Sequence, residues 1–171
     1  AQRICGVCTN VHYRASISAV EDAYGIALPK NAEIIRNLVT LALFVQDHIV
    51  HYYHLHSLDY VDVVSALEAD PEKASKVAKE HHENPYQNAP EHLKSVQDKL
   101  ESFVKAGRLG LFANGYWGHS AYKFTPEENL IHMNHYLEAL SVQREMSKAI
   151  AIFTGKTPHP QNLVVGGVTS V

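Results

Sequence analysis

Apolar residues along the chain recur at helical rather than alternating spacing. Between Ala32 and about His56 they fall at Ile34, Ile35, Leu38, Leu41, Ala42, Val45 and Ile49, which predicts one long helix opened by Pro29 and Asn31. A shorter helix is predicted from Ser16 to Tyr24, with Gly25 as its stop. Asp70-Pro71-Glu72 is a start signal for a short polar helix, with Asp70 as cap and Pro71 in the first helical position. Glu91 to Lys105 reads as an amphipathic helix ended by Gly107, and the stretch from Gly107 to Gly118 as a packed, glycine- and aromatic-rich loop. Thr125-Pro126-Glu127-Glu128 resembles a capping box that opens a long helix to about Phe153. Gly155 to Pro160 is a turn, and Leu163–Val165 and Val168–Val171 flank Gly166-Gly167 as short strands. The expected fold class is mainly α, with a small β element near the C-terminal end.

Composition narrows the function classes. Apolar residues make up 46% and charged residues 19% of the 171, a balance that fits a globular domain with a core and not a disordered chain. The net charge of -3 and the scatter of basic residues give no reason to expect nucleic acid as a partner. The apolar run Leu41–Val45 is broken at once by Gln46, Asp47 and His48, so nothing approaches the ~20 residues of a bilayer span. No secretory or twin-arginine signal opens the chain. It begins at Ala1, reaches a cysteine motif by Cys5 and stops within an expected strand, so residues 1–171 are expected to be an internal fragment of a single larger domain.

Several chemistries lack their motif. Gly155-Lys156-Thr157 has Ile150 where a phosphate loop needs glycine. Gly118-His119-Ser120-Ala121-Tyr122 lacks the second glycine of a nucleophile elbow. No His-Glu-x-x-His and no Glu-x-x-His occurs, which removes the common helix-borne zinc and di-iron sites. Thr9 stands where haem attachment needs histidine after the second cysteine.

The informative segment is Arg3-Ile4-Cys5-Gly6-Val7-Cys8-Thr9-Asn10-Val11-His12. Two cysteines three apart across a tight turn present both sulfurs to one point, and Gly6 relieves crowding where the backbone bends. Arg3 and the N–H groups of a following helix favour the thiolates, and soft sulfur selects zinc, nickel, copper(I) or iron. The spacing alone leaves three readings open: a structural zinc half-site, a dithiol redox pair, or two buried inert cysteines.

The decamer as a whole resembles the signature Arg-x-Cys-Gly-x-Cys-x-x-x-His of nickel–iron hydrogenase large subunits. The rest of the chain is similar to that family at Ala19-Val20-Glu21-Asp22-Ala23, Asn31-Ala32, Ile35-Arg36-Asn37-Leu38, Asp47-His48-x-x-His51-x-Tyr53-His54-Leu55, Tyr116-Trp117-Gly118-His119 and Thr157-Pro158-His159-Pro160-Gln161. It looks most like the membrane-bound respiratory uptake group. The resemblance implies the helical-bundle portion of a larger α-rich subunit. It implies that Cys5 binds nickel terminally, that Cys8 bridges nickel and iron, and that His12 hydrogen-bonds near the bridging sulfur. It further implies carbonyl and cyanide on the iron, and iron–sulfur clusters in a partner small subunit only. The family's second cysteine pair, its proton-transfer glutamate and its overhanging arginine have no counterpart in these residues, so half a catalytic centre is expected.

Asp47, His51 and His54 stand at i, i+4 and i+7 and are expected on one helix face, with His48 and Tyr52 on the adjacent strip. An acid in an apolar run needs a partner, a proton or a function. The resemblance places Asp47 in the outer shell above the metals; the alternative is a structural ion pair. For the histidines the plain reading is a polar network at a subunit interface, and a metal site from His48, His51 and His54 is the weaker one. His159 lies between two prolines in an extended setting and resembles a family histidine that faces the small subunit near its nearest cluster; a solvent-facing turn residue is the alternative. Tyr116 and Trp117 read as packing residues, and Glu80-His81-His82-Glu83 as a solvated helix end.

The function implied is oxidation of H2 to two protons and two electrons by a catalytic large subunit, on the periplasmic side of the cell membrane. Its expected partners are the iron–sulfur small subunit and a membrane cytochrome b. The rival is a non-catalytic metal-binding or dithiol redox module. The 171 residues alone are expected to be inactive.

Overall fold

The computed structural model describes residues 3–81, 83–110 and 120–169. Its helices are α1 (Val11–Tyr24), α2 (Lys30–Ile49), α3 (Pro71–Glu80), α4 (Pro90–Lys105) and α5 (Pro126–Thr154). A π-helical turn, Val50–His56, follows α2, and 3-10 turns cover Ser57–Asp59 and Ser65–Glu68. The antiparallel hairpin β1 (Leu163–Val164) and β2 (Gly167–Val168) pairs Leu163 with Val168 and Val164 with Gly167. The mainly α class with a small C-terminal β element holds.

Local signals acted much as their chemistry dictates. Asp70 accepts hydrogen bonds from the N–H groups of Glu72 and Lys73 at the start of α3. Thr125 and Glu128 form the reciprocal cap of α5: the Glu128 carboxylate accepts the Thr125 N–H at 2.8 Å, and Thr125 Oγ1 accepts the Glu128 N–H at 3.3 Å. Gly25 closes α1 in the left-handed conformation, φ 61°. Helix α1 begins at Val11, five residues ahead of the expected start, because the cysteine turn itself feeds the ladder: the Val11 N–H donates to the Cys8 carbonyl at 2.9 Å. The Tyr116–His119 segment and His82 lie outside the described residues.

The chain forms two compact units, residues 1–50 with 141–171, and residues 51–140. In the first, Tyr13, Ile17 and Leu163 make one apolar cluster and Val39, Leu43 and Ile150 another. Helix α2 buries Ala32, Ile35, Arg36, Val39 and Leu43. Its inward stripe is therefore rotated from the expected one, and Ile34, Leu38, Leu41, Phe44 and Val45 stay exposed. In the second unit, Val61, Val63, Ala66 and Ala69 pack on Ala74 and Ala78 of α3, on Leu93, Val96 and Leu100 of α4, and on Leu130, Ile131 and Met133 of α5. Gln97 crosses that core to donate its amide to the carbonyls of Ala66, Leu67 and Ala69.

A buried ion pair organises the first unit. Arg36 (1% exposed) donates Nη1 to Glu21 Oε2 at 2.9 Å and Nη2 to Glu21 Oε1 at 2.6 Å. Nη2 also reaches the carbonyls of Val164 and Gly167, and Glu21 Oε1 accepts the Gly166 N–H at 2.8 Å. The Arg36 hydrogen bonds hold the Glu21 carboxyl below its usual pKa of 4.5, against the opposing effect of burial. A depressed carboxylate pKa means the stabilisation is complete above about pH 4.5 and is lost as pH falls from there through the folded value. Arg36→Met strands a buried carboxylate and is expected to destabilise the fold by about 3–5 kcal/mol. The loss should be largest at neutral pH and shrink in acid, measured as apparent unfolding midpoints at pH 7 and below pH 4.

Candidate metal centre

The site is built at the N-terminal end of α1. Cys5 and Cys8, both half-buried, sit with Cα atoms 5.6 Å apart and their sulfurs bonded to each other. The Cys8 N–H donates to Cys5 Sγ at 3.0 Å. An N–H aimed at sulfur stabilises the anion, so once reduced the turn offers two convergent thiolates, the donor type that soft metals select. His12, half-buried, follows on the first turn of α1.

What anchors this turn is the framework of the first unit. Asn10 (1% exposed) donates Nδ2 to Thr40 Oγ1 at 3.1 Å, and Arg14 donates to the same oxygen at 2.7 Å and to the Arg36 carbonyl at 3.0 Å. The Thr40 hydroxyl spends its own proton on the Arg36 carbonyl, 2.8 Å away, so both neighbours must be donors. Tyr13 donates its hydroxyl to the Leu163 carbonyl. Helix α1 is thereby fixed to α2 and to the hairpin, and the cysteine turn inherits its position.

The structure brings His159 to this turn. Its N–H donates to the Thr9 hydroxyl, and its Nε2 and the Pro158 Cβ each lie 3.9 Å from where a Cβ on Gly6 would stand. That is ordinary contact distance, and Gly6 is not in left-handed backbone; the expected crowding at Gly6 is replaced by a close, complementary approach of the 158–159 segment. His159 is half-buried and has φ 66°, so its backbone is not in the extended setting that the flanking prolines predict. Its Nδ1 is shielded from solvent and has no hydrogen-bond partner among the described residues. Among the described residues no three His, Cys, Asp or Glu side chains converge on one point. The chemistry of the two sulfur donors fits a soft metal.

The other candidates are placed elsewhere. Asp47 is half-buried near the end of α2, with Oδ1 shielded from water. His48 is exposed and its Nδ1 lies 2.8 Å from the Phe44 carbonyl. The common face for Asp47, His51 and His54 assumed a 3.6-residue period throughout. From Val50 the helix is π, so residues five apart meet instead, and the His51 and His56 rings lie 4.4 Å apart. His54 packs edge-on against Tyr136, centroids 4.9 Å apart, with Nε2 shielded and without a hydrogen-bond partner among the described residues.

The Glu80–Glu83 stretch is more than a solvated end. His81 and Glu83 line a cavity of about 270 Å³ in the second unit with Glu128, His132 and His135. Glu83 lies 3.4 Å from His135, and His132 stacks on Phe124. Burial, and then the neighbouring His135, hold the His132 pKa below 6.5.

Comparison with known proteins gives the chain's family. The family model described as nickel-dependent hydrogenase matches residues 1–171. The chain is 55% identical over 170 residues to the quinone-reactive Ni/Fe-hydrogenase large chain of Wolinella succinogenes, covering 99% of this chain and 30% of that protein. It is 55% identical over 167 residues to the uptake hydrogenase large subunit of Bradyrhizobium diazoefficiens, covering 98% of this chain and 28% of that one. It is 52% identical over 169 residues to the hydrogenase-2 large chain of Escherichia coli K12, covering 99% and 30%. The chain thus spans about three-tenths of the length of the relatives it matches. Two sulfurs converging at the head of α1, in a chain matched end to end by that family model, identify it as a member of the nickel-dependent hydrogenase family.

Proposed function

We propose that this chain is the part of a nickel–iron hydrogenase large subunit that contributes Cys5 and Cys8 to the metals, in an enzyme that oxidises H2 to two protons and two electrons. The observation that carries the proposal is the convergence of the two sulfurs in a turn anchored to α2 and the hairpin. Cys5 would be a ligand to nickel and Cys8 a ligand shared by nickel and iron, an iron that would also carry carbonyl and cyanide. The centre, when bound, supplies the Lewis-acid and redox chemistry on which H2 is split. The chain's own groups hold and protect the donors. The Cys8 N–H donates to Cys5 Sγ, a thiolate of the site takes the released proton, and His12 tunes the bridging sulfur. Asp47 acts in the outer shell, and His159 faces the route by which electrons leave to an iron–sulfur small subunit.

The Wolinella relative is named quinone-reactive, which supports quinone as the electron acceptor; a cytochrome b partner and a place on the periplasmic side are proposed from the family resemblance alone. Among the described residues no helix is long and apolar enough to cross a membrane. The bonded state of Cys5 and Cys8 favours a second reading, a dithiol redox module. Metal analysis of the full-length protein separates the two: nickel plus iron supports the first, zinc or no metal the second.

Cys5→Ser and Cys8→Ser, each in the full-length protein, are expected to abolish both nickel incorporation and hydrogen uptake; wild-type nickel content in either variant would sink the ligand assignment. Asp47→Asn is expected to leave nickel and iron in place while lowering turnover or altering oxygen sensitivity, and unchanged kinetics and inhibition would reduce Asp47 to a structural role. In a strain without the small subunit the full-length large subunit should remain in the cytoplasm, and its recovery from the periplasmic fraction would contradict export as a complex.

A further inference from the structure

We infer that Thr9 is a positioning residue of the metal centre, its hydroxyl fixing the backbone of His159, and through it the placement of the ring, against the cysteine turn; this rests on the reading that the turn binds nickel. Thr9 is 2% exposed, so water does not compete for its oxygen, and that oxygen accepts the His159 N–H. His159 is flanked by Pro158 and Pro160, which have no N–H. Its own N–H is therefore the one backbone donor among residues 158–160, and Thr9 takes it. The bond is made at a residue whose φ of 66° is sparsely populated for any side chain but glycine, a conformation that persists only where neighbours enforce it. Thr9 adjoins Cys8 directly, and the ring it sets reaches the open side of Gly6 between the two cysteines. One hydroxyl thus sets the spacing between the sulfur donors and an imidazole brought from 150 residues away. The sulfurs carry the chemistry; Thr9 acts through His159 and the turn.

The test uses the full-length large subunit assembled with its small subunit, with Thr9→Val, which keeps the side-chain volume and removes the acceptor, and Thr9→Ser, which keeps the acceptor. Nickel content, the electron paramagnetic resonance spectrum of nickel, and kcat and KM for H2 are read on each. T9V is expected to retain nickel, to shift the nickel spectrum and to lower kcat roughly tenfold with KM little changed, and T9S to restore both spectrum and kcat. If T9V yields no assembled enzyme, Thr9→Ala, which cannot overpack the site, takes its place in the same comparison. A T9V or T9A enzyme with the wild-type spectrum and kcat overturns the inference, as does a defect that T9S fails to relieve. A wild-type enzyme without nickel overturns instead the functional reading on which the inference rests.

Discussion

The Glu21 carboxylate and the Arg36 guanidinium, both withdrawn from water, are the constraint on which the first unit depends. Neither charge is tolerable there alone, so whatever keeps one in place also keeps the other. The pair draws together α1, which carries Glu21, α2, which carries Arg36, and the hairpin, whose carbonyls and N–H complete the shell. The Arg36 carbonyl then receives Arg14 and Thr40, and Thr40 receives Asn10. The cysteine turn is the next link, so the geometry of its two sulfurs follows from an electrostatic requirement some distance from them. A soft-metal site needs its sulfurs preorganised, and here rigidity comes from charge burial and hydrogen bonds rather than from a large apolar cluster.

Much of the fold was legible in the sequence because local chemistry decided it. Caps at Asp70 and Thr125, the stop at Gly25 and the hairpin around Gly166-Gly167 needed no tertiary information. The orientation of α2 was not legible. Its apolar residues cover more than one face, so periodicity offered Ile34, Leu38 and Leu41 as readily as Val39 and Leu43. The choice was made by Arg36, a charged residue that had to point inward to meet Glu21. The π turn after Ile49 was missed for a similar reason: nothing in Val50–His56 departs from helix-forming composition, yet the longer period changes which histidines meet.

Of the candidate site, the cysteine turn could be read directly, since spacing of three fixes the convergence of the sulfurs. The meeting of Thr9 with His159 could not, because it joins residues 150 apart through a backbone N–H that has no sequence signature. The signal available was indirect: prolines on both sides of His159 left a single donor, and a single donor in a packed turn must find an acceptor. Arg14 and Asn10 were likewise silent, being ordinary surface types that the fold turned into tethers.

The exposed stripe of α2 has a consequence in time. Ile34, Leu38, Leu41, Phe44 and Val45 form a surface that water disfavours, and two processes compete to remove it. Docking against a neighbouring segment of the same polypeptide is first order and indifferent to how many copies surround it. Association with another copy is second order and accelerates with the square of concentration. Whether this helix ends in an orderly subunit or in an aggregate is therefore set by how rapidly chains are made relative to how quickly each one finds its own cover, a balance that slower synthesis or lower temperature shifts without altering a single residue.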